Sequence, residues 1–190
     1  MSSIEQEIAN CLPILSSGGT ILYPTDTIWG IGCDATNPDA VRKVYQLKQR
    51  MERKSLIILI DDAERLKDYI SNIPAIAWDL LNSVDTPLTI IYPQGKNLAQ
   101  NVLADDGSIA IRIAKTEFCR NLIKAFGKPV VSTSANISGA SPALSYKAIV
   151  PEIIRGVDYA VDESIDELNE LKASRIIKLD SNGEFSIIRH

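Results

Sequence analysis

Histidine is almost missing from this chain: among 190 residues the single copy is His190, the last one. Without an imidazole elsewhere, Ser-His-Asp and Cys-His nucleophilic mechanisms lose their proton carrier. Cysteine is scarce as well, and Cys11, Cys33 and Cys119 lie too far apart for a disulfide framework or a zinc site. Aromatic residues make up 6% and form no run on which bases could stack. No apolar run approaches the roughly 20 residues that a membrane span takes. The opening MSSIEQEIANCL has acids where a secretory leader carries Lys or Arg, and no long apolar segment, so the expected location is cytoplasmic. Neither GxxxxGK[ST] nor GxGxxG occurs. Any chemistry is left to carboxylates, Lys, Arg, hydroxyls, backbone amides or a metal held through the substrate.

What is present is ordinary globular composition, 45% hydrophobic and 23% charged, in a length that fits one substantial core over residues 1–190. Helix and strand patterns alternate. Ile4 to Leu15 reads as an amphipathic helix stopped by Gly18-Gly19, with a strand from Thr20 to Tyr23 after it. Asn37-Pro38 is a helix start, Asn as N-cap and Pro at the first helical position, and Val41, Val44 and Leu47 follow at helical spacing. Leu56 to Ile60, LIILI, reads as a strand buried on both faces. Helices around Ala63–Tyr69 and Ile73–Ser83 precede a strand at Leu88–Tyr92, and a strand at Ser108–Ile113 leads to a helix at Glu117–Phe126. Strands at Arg175–Leu179 and Glu184–Ile188 turn on Ser181-Asn182-Gly183. Ala140 to Pro151 is the loosest connection. The expected architecture is one α/β domain with a mixed sheet.

The net charge is −4, but its sign is unevenly distributed. Arg42, Lys43, Lys48, Arg50, Arg53 and Lys54 cluster against Glu52 alone, whereas Glu152 to Glu170 is strongly acidic and reads as solvated surface. Lys48 could simply cap its helix, because cations suit a helix C-terminus. The further cations before LIILI exceed what capping needs, and a basic connection entering a buried strand would set charge over a sheet edge where ligands gather.

Two strand exits are rich in small polar residues. Lys128 to Gly139, KPVVSTSANISG, leaves the Val130-Val131 strand through Ser132, Thr133, Ser134, Asn136 and Ser138. Such side chains leave backbone accessible and supply donors and acceptors for a phosphate or a polar small molecule; a solvated Ser/Thr loop is the plain alternative. The other exit is Tyr23 to Gly32, YPTDTIWGIG. There Pro24 ends ladder pairing, Thr25, Asp26 and Thr27 are small polar groups, and Gly30 and Gly32 permit close backbone approach.

In order and spacing, GGTILYPTDTIWGIGCDATN, the LKQR of Leu47–Arg50, the SIAIRI of Ser108–Ile113 and KPVVSTSANISG resemble the YrdC-like family of threonylcarbamoyl-AMP synthases. The resemblance runs from about Gly18 to the last residues. It implies a twisted α/β sheet flanked by helices around a large basic cavity. It also implies a nucleotidyltransferase reaction: L-threonine, bicarbonate and ATP give threonylcarbamoyl-adenylate, pyrophosphate and water. The product would serve N6-threonylcarbamoyladenosine formation at position 37 of tRNA, with tRNA threonylcarbamoyl-transfer proteins acting downstream.

By the same resemblance Lys48, Arg50, Ser134 and Asn136 match a hallmark quartet, with Lys48 and Arg50 expected at the catalytic centre. Thr25, Thr27, Arg112, Ser134 and Ser174 are expected on threonine, with Arg112 on its carboxylate. Arg50, Lys54, Ser108, Asn136, Ser141 and Arg189 are expected on ATP. Mg²⁺ would arrive on ATP, because no carboxylate cluster is evident and no protein metal site is expected. Binding, orientation and neutralisation of phosphate charge are what this chemistry mainly needs, so the missing histidine is no obstacle.

The chain departs from the family after Arg50, reading Met51-Glu52-Arg53-Lys54-Ser55-Leu56 where prolines are usual, and again at Ser174-Arg175-Ile176-Ile177-Lys178. It also stops without the extra C-terminal domain of longer members. Two other readings stay open: a diverged paralogue that binds or hydrolyses a nucleotide or adenylate, and an RNA-binding module using the basic cavity.

Overall fold

In the computed structural model, which describes residues 2–50, 56–166, 173–180 and 182–190, the Ser3 hydroxyl caps the first helix by accepting from the amide of Gln6 at 3.2 Å. This helix, α1 (Ile4–Ser16), buries Cys11 and Leu15 and packs on α5 (Glu117–Phe126), whose own inner face is Phe118, Cys119, Leu122 and Ile123. Helix α2 (Pro38–Leu47) starts as expected: Asn37 Oδ1 accepts from the amides of Asp39 and Ala40. Shorter helices are α3 (Leu66–Tyr69), α4 (Ile76–Ser83) and α6 (Pro151–Gly156).

The strands are β1 (Ile21–Tyr23), β2 (Gly30–Gly32), β3 (Ile57–Ile60), β4 (Leu88–Tyr92), β5 (Ile109–Ile113), β6 (Val130–Ser134), β7 (Tyr159–Ala160), β8 (Arg175–Leu179) and β9 (Phe185–Arg189). They form one nine-stranded sheet in the order β7-β1-β2-β6-β3-β5-β4-β8-β9. The pairs β1/β7, β3/β5 and β4/β8 are parallel and the others antiparallel, so the sheet is mixed as expected. Placing β3, β5 and β6 at its centre explains the apolar, β-branched sequence of β3. No helix among the described residues is long and apolar enough to cross a membrane.

Three features differ from the reading of the sequence. Strand β6 does not stop at Val131 but runs through Ser132 and Thr133 to Ser134, because these residues ladder with Ile57 of β3 and with Ile31 and Gly30 of β2. Gly30-Ile31-Gly32 is itself a strand. A Cβ on Gly32 would sit 2.6 Å from Tyr23 Cε1 and 2.9 Å from the Val131 carbonyl oxygen, so glycine is what lets β2 fit between its neighbours. The described acids of the acidic stretch, Glu152 to Asp166, are mostly exposed, yet two of them are anchors. Asp158 Oδ2 accepts from the Thr20 amide at 2.7 Å beside β7, and Asp166 Oδ2 accepts from the Trp29 indole at 2.8 Å.

Candidate active site

Between the β1–β2 loop and the exit of β6 lies a cavity of about 320 Å³. Leu56, Ile57, Ile91, Ala110 and Ile176 give it an apolar floor, drawn from β3, β4, β5 and β8 and from the residue before β3. Its polar wall is built from hydroxyls and guanidiniums. Among the described lining residues there are three arginines, Arg50, Arg112 and Arg189, and no carboxylate. A concave apolar floor with a few convergent cations suits a polar, anionic small molecule.

The β1–β2 loop forms one side. Thr25 Oγ1 donates to the Ile28 carbonyl at 2.7 Å, lies 3.0 Å from Thr27 Oγ1 and accepts from the Thr27 amide at 3.2 Å. This turn fixes both threonines, each buried and each lining the cavity. Trp29 continues the wall and is held by Asp166 at its indole and by an edge-on contact with Tyr146, ring centroids 4.9 Å apart.

Arg112, on β5, reaches toward this loop. Its Nη2 is 3.2 Å from Asp26 Oδ1 and 3.5 Å from Thr25 Oγ1. The contact with Asp26 is an ion pair whose alignment falls short of a hydrogen bond, since neither Asp26 oxygen accepts one. Both side chains are almost fully buried.

Lys48 and Arg50 leave the end of α2 in different directions. Lys48 caps the helix through its amide, bonded to the Val44 carbonyl at 3.1 Å. Its ammonium turns to the β6 exit, donating to the carbonyl oxygens of Ser134 and, at 2.7 Å, Asn136. Burial, reinforced by the neighbouring Arg50 charge, pulls the Lys48 pKa down from 10.5 to about 8. Gln49 then takes a left-handed φ of 50°, the Arg50 amide bonds the Tyr45 carbonyl at 2.9 Å, and the Arg50 side chain lines the cavity. Burial lowers the Arg50 pKa as well.

On the far side Ser174 Oγ lies 2.8 Å from Thr89 Oγ1. Arg189 Nε donates to the Ser174 carbonyl at 2.9 Å and its Nη2 to Ser174 Oγ at 3.3 Å. Arg189 has its pKa lowered first by burial and then by the charge of Arg112, which places the two cations within each other's field.

Of the residues singled out in the sequence, Thr25, Thr27, Arg50, Arg112, Ser134, Ser174 and Arg189 converge on this cavity. Lys48 and Asn136 stand behind its wall: the Asn136 amide nitrogen donates to the carbonyls of Ile137 at 3.0 Å and Ala140 at 2.7 Å, tying the loop to itself. Ser108 is buried, its amide bonded to Asp106 Oδ1 at 3.0 Å, and Ser141 is exposed beside the lining residue Pro142. Neither is among the described lining residues. Lys54 lies outside the described residues. In the sequence Asp26 stands out only as one of three small polar groups, and Trp29 is not singled out. An acid amid threonines was the available sign, but its pairing with Arg112 spans 86 residues of chain and has no local signature.

The Sua5/YciO/YrdC family model, described as "Telomere recombination", matches residues 13–190, and the chain belongs to that family. It is 34% identical over 166 residues to the threonylcarbamoyl-AMP synthase of Pseudoalteromonas translucida, covering 86% of this chain and 89% of that protein. In three dimensions it is similar to E. coli YciO, with a TM-score of 0.83 at 22% identity over 100% of this chain and 90% of the other. It is also similar to P. abyssi Sua5 complexed with L-threonine, with a TM-score of 0.84 at 23% identity. That match covers 94% of this chain but 52% of Sua5, so the chain spans about half the length of that protein.

Proposed function

We propose that the chain is a threonylcarbamoyl-AMP synthase, a nucleotidyltransferase acting on L-threonine, bicarbonate and ATP. The observation that supports this most directly is the shared cavity, where Thr25, Thr27 and Arg112 stand on one side and Arg50 and Arg189 on others. The relatives named for this activity, and the Sua5 complex with L-threonine, point the same way.

In the reaction the threonine amine attacks the bicarbonate carbon, a C–N bond forms, and water leaves to give the carbamate. A carbamate oxygen then attacks the α-phosphorus of ATP and displaces pyrophosphate. Arg112 takes the threonine carboxylate, and the Thr25–Thr27 turn and Ser134 orient the amino acid, with Ser174 on the opposite wall. Arg50, Arg189 and Lys54 neutralise phosphate charge, and Ser141 contacts the nucleotide at the rim. Lys48 and Asn136 act by holding the backbone at the β6 exit that forms one wall, and Ser108 contacts the nucleotide. The polar wall of the cavity is hydroxyl and guanidinium, donors suited to phosphate oxygens. Mg²⁺ carried by the triphosphate would shield phosphate charge there.

The product is passed to tRNA threonylcarbamoyl-transfer proteins, and tRNA contact by this chain belongs to that downstream step. The test is incubation of the pure protein with ATP, Mg²⁺, threonine and bicarbonate, with mass spectrometry for threonylcarbamoyl-adenylate. Product is expected only when all the substrates are present. Hydrolysis of ATP at the same rate without threonine, and no adduct, contradicts the proposal.

A further inference from the structure

Asp26 is buried with an ion-pair partner and no hydrogen bond. Its side chain is 4% exposed and that of Arg112 5%, the nearest atoms 3.2 Å apart, and both Asp26 oxygens lack a hydrogen-bond donor. Arg112 Nε is likewise buried without a partner. Unsatisfied polar atoms are rare in protein interiors because each forfeits its hydration, so several meeting at one pair ask for a reason. The two residues also differ in access. Arg112 lines the cavity, whereas Asp26 is not among the described lining residues and stands behind it.

We propose that Asp26 is a positioning residue for amino-acid binding: from behind the wall it holds one amino group of Arg112, fixing the guanidinium so that its remaining donors serve the substrate carboxylate. A planar guanidinium has donors on more than one edge, so it can face a protein carboxylate and a ligand carboxylate together. Thr25 takes part in the same arrangement, since its hydroxyl lies within 3.5 Å of Nη2 and is itself fixed by the turn to Ile28. The inference rests on the synthase reading in one respect only, that the ligand of Arg112 is an amino-acid carboxylate. Its effect belongs to threonine and not to ATP, whose phosphates meet Arg50 and Arg189.

The experiment compares Asp26→Asn, Asp26→Glu, Arg112→Gln and the Asp26→Asn/Arg112→Gln double variant by KM for threonine and for ATP. Threonine affinity is measured in parallel by calorimetric titration, which needs no turnover. Asp26→Asn is expected to weaken threonine about tenfold or more while ATP KM stays within about twofold. Asp26→Glu, which keeps the charge, is expected to recover most of the loss. In the Arg112→Gln background, adding Asp26→Asn is expected to change threonine affinity by less than about twofold, because Asp26 acts through Arg112. Unchanged threonine affinity in Asp26→Asn, an equal rise in both KM values, or a full further loss in the Arg112→Gln background overturns the proposal. If Asp26→Asn fails to fold, the double variant, with both charges removed, is compared with Arg112→Gln alone under the same criterion. A wild-type protein that binds threonine without forming product contradicts the synthase activity and leaves the Asp26 comparison intact; one that binds no threonine overturns both.

Discussion

The ammonium of Lys48 donates to the carbonyl oxygen of Asn136 at 2.7 Å, joining the end of α2 to the loop that leaves β6. The Ser138 amide returns the contact by donating to the Lys48 carbonyl at 2.9 Å. Together these bonds make one wall of the cavity a continuation of the α2 end, so that Lys48 shapes the site from behind while Arg50 enters it.

The lowered Lys48 pKa has a consequence for stability. An unfolded chain keeps this proton up to about the ordinary 10.5, whereas the folded chain releases it near 8. Between those values the unfolded state binds more protons, so the Lys48 contribution rises with pH across that window. It is fully present above the window, is lost as pH falls through 8, and is flat below. Urea unfolding of the wild type and Lys48→Met should give a free-energy difference that moves in favour of the wild type from pH 8 to pH 10.5. A difference that stays level there contradicts the assignment.

Arg50→Ala removes a cation from the cavity and leaves the apolar floor in place. The expected result is an ATP KM raised about tenfold to a hundredfold, with a smaller change for threonine. Circular dichroism of the variant should match that of the wild type. An unaltered ATP KM would place the phosphates elsewhere.

The two glycines of β2 differ in what a methyl group would meet. At Gly32 the added carbon lands 2.6 Å from the Tyr23 ring and 2.9 Å from a backbone oxygen. At Gly30 its nearest neighbour is Thr25 Cγ2 at 3.3 Å, and the residue lines the cavity. Gly32→Ala should lose about 1–3 kcal/mol in urea denaturation, and Gly30→Ala about half that or less. The Gly30 variant should instead lose activity, because its methyl group crowds the Thr25 side of the site. Equal destabilisation of the two contradicts this packing.

Much of this was legible in the sequence where the cause is local. Asn37-Pro38 caps α2 because capping needs one side-chain oxygen and a fixed φ, and the last four residues of LIILI, Ile57–Ile60, become the inner strand β3 because they have no polar position to solvate. The site residues that stand next to a strand end or helix end, Thr25, Arg50 and Ser134, could be found the same way. What could not be read depends on distant partners. Ser132 and Thr133 look like a loop until β2 and β3 supply their ladders. Glu7, on the first helix, is buried and accepts from the Tyr159 hydroxyl at 2.7 Å, a partner 152 residues away. Asp26 belongs to the same class, since only the fold brings β5 to it.

As a proposed synthase, the protein would join an amino acid to the α-phosphate of ATP through bicarbonate in this cavity. The most direct measurement is pyrophosphate release with isotope-labelled bicarbonate and mass spectrometry of the nucleotide product. Release should require both threonine and bicarbonate, with the label retained in a threonylcarbamoyl-adenylate. Pyrophosphate release independent of threonine, or an adenylate without the label, would contradict it.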